Sequence, residues 1–299
     1  MGPAAFAPAK INLFLHVGAP GADGYHPLCS LMVFADIGDR VSVHEADALA
    51  LRVHGPFAAG LPTEDADNLV LRAARALMAR ARGPQPPLAL SLDKRLPVAA
   101  GLGGGSSDAG AALRLVREAL SLTLEDRELE AIAAELGADG AACLWGRPVL
   151  AEGRGERLSP APGLPALEAV LVNPGVSVST PEIYRAFDAA GSFADIAPPP
   201  MPEVFESVEE LAGWLRATTN DLQAPAVALA PAIGDVLETL ADEPEALLAR
   251  MSGSGATCFA LCGSDIQAET LAERLEAMRP AWWVKRCRLG GPWEAETLG

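Results

Sequence analysis

LPVAAGLGGGSSDAGAALRLVREAL (residues 96–120) is a glycine run that feeds directly into an apolar periodic segment. Ala109, Ala112, Leu113, Val116 and Leu120 share one side of a helical period, so the spacing predicts an amphipathic helix. Glycine lets the backbone turn with positive φ and approach a ligand closely. The first turn of the helix adds unpaired N–H groups and the positive end of its dipole, a combination suited to phosphate. Two other glycine loops are excluded. The run lacks the third glycine of a dinucleotide fingerprint, and Glu125 and Asp126 open a helix where that fingerprint needs an acid closing a strand. No Gly-Lys pair occurs in the chain, which removes a Walker loop. A plain glycine-rich surface loop is the alternative on this stretch alone.

The chain has 299 residues, half of them hydrophobic, enough for two domains with sizeable cores. No apolar run reaches membrane-spanning length and no N-terminal signal pattern appears, so a cytoplasmic enzyme is expected. The formal charge of −16 disfavours nucleic acid or an anionic membrane as partner, so any phosphate site has to be local. Among the 23 basic side chains only Lys10, Lys94 and Lys285 are lysines. The five cysteines are scattered without a CxxC pair and are expected to be buried free thiols. No metal box is visible among the histidines.

Residues 9–17 alternate, which predicts a strand with Lys10 and Asn12 on one face, either solvated or functional. Residues 18–28 read as a loop carrying Tyr25 and His26: a turn tyrosine, or an aromatic platform for a planar ring. Two strand-like runs flank Gly38-Asp39, and a helix is expected over 65–82. Residues 88–97 return as a strand that delivers the glycine loop, with Lys94 and Arg95 at an exposed strand end or beside a nucleotide. Thr123 and Asp126 resemble a capping box for the next helix, which Gly137 stops. Asp139 then sits in a tight turn, bonding its own backbone or serving chemistry. Pro and Gly cluster at 159–165, a plausible domain border. Beyond it the pattern reads strand, turn and short helix with Tyr184, then helix at 220–222 continuing through DVLETL and PEALLA. A second glycine turn at 251–256 leads into a strand, followed by a last helix and a last strand. Strand–helix alternation argues an α+β (α/β) fold in two lobes.

Pro97-x3-Gly101-Leu-Gly103-x2-Ser106-Ser107 resembles the phosphate-binding loop of the GHMP kinases. The likeness runs nearly end to end through Ala9-Lys10-Ile-Asn12, Asp23-Gly24-Tyr25-His26, Leu92-Asp93-Lys94-Arg95-Leu96-Pro97, Leu136-Gly137-Ala138-Asp139, Asn173-Pro174-Gly175 and Ser252-Gly253-Ser254-Gly255-Ala256. The resemblance implies the GHMP kinase fold, with an N-terminal nucleotide-binding lobe (1–158) and a ferredoxin-like C-terminal lobe (159–299) around a shared active site. It implies ATP with Mg2+, a cytidyl-linked alcohol (diphosphocytidyl-methylerythritol) phosphorylated on its 2-hydroxyl in the non-mevalonate isoprenoid route, and a monomer or homodimer. A mevalonate- or homoserine-type kinase is the alternative, and a non-catalytic nucleotide sensor a second one. By position, Asp139 matches the catalytic base and Lys10 the lysine beside it. Tyr25, His26 and Tyr184 match cytosine-binding positions, and Asn12 and Thr180 substrate contacts. Asn68 and Lys94 match positions near the adenosine, and Pro97, Gly101, Leu102, Gly103, Gly104, Gly105, Ser106 and Ser107 make the ATP loop. Three departures stand out: Ala99 and Ala100 replace glycines, Gly140-Ala141-Ala142 replace bulkier residues and suggest a smaller, more flexible lining, and Asp108 puts an anion near phosphate.

Overall fold

The computed structural model describes residues 2–61, 68–81, 83 and 85–293. Ten strands join in one sheet whose main path runs β3(Ala50–His54), β4(Leu88–Asp93), β2(Leu28–Glu45), β10(Trp283–Gly290), β7(Leu167–Asn173), β9(Cys258–Cys262), β8(Ala246–Met251). Off this path, β1(Ala4–Val17) pairs with β2, and β5(Val149–Gly153) bridges β2 and β6(Arg157–Pro160). The last four strands in the chain lie in the spatial order fourth, first, third, second, antiparallel throughout, which is the ferredoxin-like arrangement. They meet the N-terminal strands through only two residue pairs, Leu289 with Ala35 and Gly290 with Phe34. The expected border at 158/159 falls inside β6.

On the N-terminal side, α1(Leu69–Arg80), α2(Gly104–Ala119), α3(Asp126–Leu136) and α4(Gly140–Trp145) share one core, centred on Leu71, Leu77, Leu113 and Ile132. Its strands contribute Val41, Leu90 and Leu92 to the same core. A second core joins β1 and β2 to β7 and β10 and to α6(Val208–Leu215). A third packs α5(Thr180–Ala190), α7(Gln223–Leu229), α8(Ala232–Ala241) and α9(Asp265–Met278) against the C-terminal strands.

Several local expectations are corrected. Gly38 does not break β2 in two: it lies in one 18-residue strand against β1, where a Cβ would come within 2.2 Å of the Ala7 carbonyl. The alternation of 9–17 has no wet face, because β1 is buried on both sides and its register shifts between Asn12 and Phe14. The expected helix start at 65–67 and its last residue, 82, lie outside the described residues; within them Asn68 caps α1 by accepting the Val70 N–H at 2.9 Å. The capping box of α3 is Glu125 with Glu128, not Thr123 with Asp126. PEALLA enters β8 rather than a helix, since pairing with β9 outweighs the helix propensity of Glu, Ala and Leu. All five cysteines are free and buried, as expected.

Candidate active site

The glycine run does deliver a helix. Gly101 and Gly103 hold φ of 76° and 60°, and α2 starts at Gly104. Pro97 to Ser106 line an inner cavity of about 570 Å³, together with Lys10, Asn12, Lys94, Asp139, Thr180, Tyr184, Gly253 and Ser254. Leu102 lines the cavity while its side chain is buried in the core, and its carbonyl accepts the Lys10 N–H at 2.8 Å. Ser107 is fully buried in the first turn of α2, its Oγ without a hydrogen-bond partner. Gly101 has no room for a side chain: a Cβ would lie 2.2 Å from the Ser252 carbonyl. Ser252 Oγ in turn donates to the Gly101 carbonyl at 3.0 Å, tying the second glycine turn to the first.

Ala99 occupies the left-handed region at φ 51°, where a Cβ costs about 1–2 kcal/mol. The departure from glycine is thus a strained one. Ala99→Gly is expected to stabilise the fold by about 0.5–1 kcal/mol after the entropy cost of glycine, read as a rise in urea midpoint at unchanged slope. Ala100 is buried, and its carbonyl accepts the Thr257 N–H at 3.1 Å.

Two expectations placed charge at this loop, and both need restating. Lys94 is neither an exposed strand end nor a free cation: its side chain is 2% exposed and its Nζ lies 2.5 Å from Asp39 and 2.8 Å from Asp108. Asp108 therefore points away from the loop, toward Lys94. Burial pushes the Asp108 carboxyl up to about 8 against the pull of Lys94. Asp39 Oδ1 also accepts the Arg95 and Leu96 N–H groups, so this buried triad ties the entry to the loop to Asp108 near the start of α2. Asn68, the α1 cap, is not part of the cavity lining, although its neighbour Leu69 is.

Lys10, on β1, places its Nζ 3.2 Å from Asp139 Oδ2 and donates to Asn12 Oδ1 at 2.6 Å. Asn12 Nδ2 donates to Ser30 Oγ at 2.7 Å, which donates to the Phe14 carbonyl at 2.6 Å. The lysine is thus oriented by a buried chain of two side chains that ends on a main-chain carbonyl. Asp139 holds the N-terminal position of α4 without capping it, leaving its carboxylate free for Lys10 and the cavity. Gly140, Ala141 and Ala142 do not form a loose lining. All three are buried, and a Cβ on Gly140 would meet the Ala133 carbonyl at 1.9 Å, so glycine here lets α4 close on α3.

A second cavity of about 1030 Å³ opens outward, sharing Leu28, Ala138, Thr180 and Tyr184 with the first. Tyr25 and His26 line it, with Arg154, Arg185 and Asp188. The His26 and Tyr184 rings stand 5.0 Å apart, tilted by 44°. His26 Nδ1 donates to the Gly18 carbonyl at 2.8 Å and its Nε2 faces Asp188 at 3.3 Å, so both ring nitrogens are turned to the protein. Burial, and then the charge of Asp139, push the Tyr184 phenol up to about 12, which keeps it a neutral hydrogen-bond donor. Thr180 Oγ1 lies 2.8 Å from Ser254 Oγ at the junction of the two cavities. The site therefore draws β1, α2, α4 and α5 and both glycine turns together.

Ser254, Arg154 and the triad partner Asp39 were not singled out by the sequence reading. Ser254 lay in a quoted motif, whereas Arg154 and Asp39 carry no local signal. The model of the GHMP kinases N terminal domain matches residues 68–147, and that of the GHMP kinases C terminal domain matches 201–281. A protein of Caulobacter sp. (strain K31), named 4-diphosphocytidyl-2-C-methyl-D-erythritol kinase, is 68% identical over 96% of this chain and 98% of its own.

The chain belongs to the 4-diphosphocytidyl-2-C-methyl-D-erythritol kinase family of GHMP kinases.

A relative of the same name from Hyphomonas neptunium is 49% identical over 95% of this kinase and 96% of its own length. A crystal structure of a 4-(cytidine 5'-diphospho)-2C-methyl-D-erythritol kinase superposes on this GHMP kinase with a TM-score of 0.78 at 33% identity, covering 97% of this chain and all of the other. The fold extends to a homoserine kinase from Cytophaga hutchinsonii, with a TM-score of 0.69 at 21% identity over 97% and 96% of the two chains.

Proposed function

We propose that the two joined cavities hold the two substrates of this kinase, with the Lys10–Asp139 pair at their junction acting on the alcohol. The enzyme phosphorylates the 2-hydroxyl of 4-diphosphocytidyl-2-C-methyl-D-erythritol with ATP, in the non-mevalonate route to isoprenoid precursors. The observation that supports the residue assignment is the Asp139 carboxylate, 3.2 Å from Lys10 and next to the lip shared by the glycine loop and the aromatic cavity.

The triphosphate is assigned to the inner cavity, where glycines 103–105 leave the α2 backbone bare, the helix N-terminus favours anions, and Ser106 adds a hydroxyl. Pro97, Gly101, Leu102 and Ser107 shape this loop, while Lys94 acts from beneath it and Asn68 acts only indirectly, as the cap of α1 beside the lining residue Leu69. Among the described residues no group of three or more His, Cys, Asp or Glu is gathered to hold a metal ion. Mg2+ would be held on the phosphates, with Ser106 and Asp139, which both line this cavity, as oxygen donors, and when bound it would supply charge neutralisation. Asp139 accepts the hydroxyl proton as the oxygen attacks, and Lys10 orients that carboxylate and stabilises charge on the attacking oxygen. Asn12 and Thr180 position the polyol, and Tyr25, His26 and Tyr184 enclose the cytosine. The lobe border is assigned just after Pro160, since a border at 158/159 would cut β6 off from its pairing with β5, and the protein is assigned to the cytoplasm as a monomer or homodimer without nucleic acid. No helix among the described residues is long and apolar enough to cross a membrane.

ADP release with Mg-ATP and the cytidyl alcohol, run beside mevalonate, homoserine and galactose, tests the reading. Turnover on the cytidyl substrate alone supports it; turnover on another alcohol discards the cytosine assignment and keeps the ATP loop. Tyr25→Ala is expected to raise KM for the cytidyl substrate about 5- to 100-fold with KM for ATP unchanged, the range given by loss of one base–aromatic stack. Equal losses for both substrates would reduce Tyr25 to a fold residue.

A further inference from the structure

Arg154, in the turn between β5 and β6, lines the outer cavity beside Tyr25. Its guanidinium carbon lies 4.3 Å from the centre of the Tyr25 ring. The same guanidinium pairs with Asp23 Oδ2, while Asp23 Oδ1 accepts the backbone N–H of Tyr25 at 3.1 Å. The contacts close on themselves: Asp23 holds the backbone of Tyr25, Arg154 holds Asp23, and Arg154 covers the ring. The Arg154 N–H donates to Glu156 Oε2 at 2.5 Å, which fixes the turn that presents it.

Tyr25 needs such support. It is 60% exposed, the most exposed of the aromatic rings at this site, and no core packing sets its χ angles. The Gly21 N–H donates to the Tyr25 carbonyl at 2.8 Å, which orders the main chain but not the ring. A ring with one face on a guanidinium keeps the other face free for a planar partner.

We propose that Arg154 is a positioning residue for substrate recognition: tethered by Asp23, it holds the Tyr25 ring as a preformed face for the cytosine. The proposal rests on the assignment of the outer cavity to the cytidyl group. An ordered platform lowers the cost of binding without touching the reacting atoms, so the effect falls on the affinity for one substrate. An exposed cation–π contact together with an exposed ion pair corresponds to about a threefold to tenfold change in an equilibrium.

The test is steady-state kinetics of the full-length enzyme carrying Arg154→Ala or Arg154→Lys, each alone and combined with Tyr25→Ala, with thermal midpoints recorded alongside. Arg154→Ala is expected to raise KM for diphosphocytidyl-methylerythritol about threefold to tenfold, with kcat, KM for ATP and the midpoint unchanged. Arg154→Lys keeps the pairing with Asp23 but loses the planar stack, so its KM falls between. In the Tyr25→Ala background Arg154→Ala adds nothing, because the residue acts through the ring. Additive losses there would mean that Arg154 binds the substrate directly, and would overturn the proposal. So would a lowered KM, which would make Arg154 an occupant of the place of the base, or parallel losses in kcat and ATP affinity, which would make it a fold residue. If Tyr25→Ala itself leaves the cytidyl KM at the wild-type value, the cytosine assignment fails and the proposal falls with it; if only the Arg154 variants are silent, that assignment stands.

Discussion

Asp139→Asn is expected to retain ATP affinity and lose about 10²–10⁴ in turnover. The amide keeps the size of the carboxylate and can still accept a hydrogen bond from Lys10, 3.2 Å away, but it cannot take up the hydroxyl proton. The lysine stays in place because Asn12 and Ser30 hold it from behind, so the substitution removes proton acceptance with little change of geometry. The phosphate loop is built from other segments and keeps its backbone donors. Equilibrium binding of ATP and single-turnover ADP formation separate the two quantities. Phosphoryl transfer passes through a loose transition state in which alignment and charge carry much of the catalysis, so turnover near wild type would leave Asp139 an orienting role and remove it as the base.

Lys94→Met is expected to destabilise the protein by about 3–5 kcal/mol, because it leaves Asp39 without its cation and Asp108, whose carboxyl burial already pushes up to about 8, without its donor in the interior. The three side chains are 2%, 0% and 3% exposed, so water cannot take over the role of the ammonium. Asp108 already has one oxygen without a partner, and loss of Lys94 would leave the other unpartnered as well. Urea unfolding at constant slope reads the loss, and ATP affinity should fall with it, since the triad joins residues 95 and 96 to Asp108 near the start of α2. Combining Lys94→Met with Asp39→Asn and Asp108→Asn should recover much of the stability, because the cost lies in buried acids left without the ammonium. A single-variant loss below about 1 kcal/mol would mean that the triad is hydrated.

The phosphate loop was readable from one stretch because glycine spacing, the following period and the helix terminus are all local properties. Lys10, Asn12 and Asp139 were readable as a group only through the family likeness, since their meeting depends on α4 packing against β1. Alternation in 9–17 correctly put Lys10 and Asn12 on one face, yet it could not show that the face is dry. Lys94 illustrates the limit: a lysine at a strand end looks solvated until the fold supplies Asp39 from the middle of β2 and Asp108 from α2. PEALLA was misread for a related reason, as its pairing partner is a strand whose register no local pattern discloses. Arg154 reaches Tyr25 from 129 positions along the chain, and no spacing rule spans that interval.

The contact between Gly101 and Ser252 also bears on how this family can change. The atom that excludes a side chain at 101 is the main-chain oxygen of 252, which every amino acid carries. A mutation at 101 therefore has no suppressor at 252: exchanging that side chain removes nothing that clashes. The two glycine turns, one from each half of the chain, can diverge only by moving their backbones together. Shuffling the halves between distant relatives would separate a pair fitted to each other, and would test the inheritance of the joint rather than of either half.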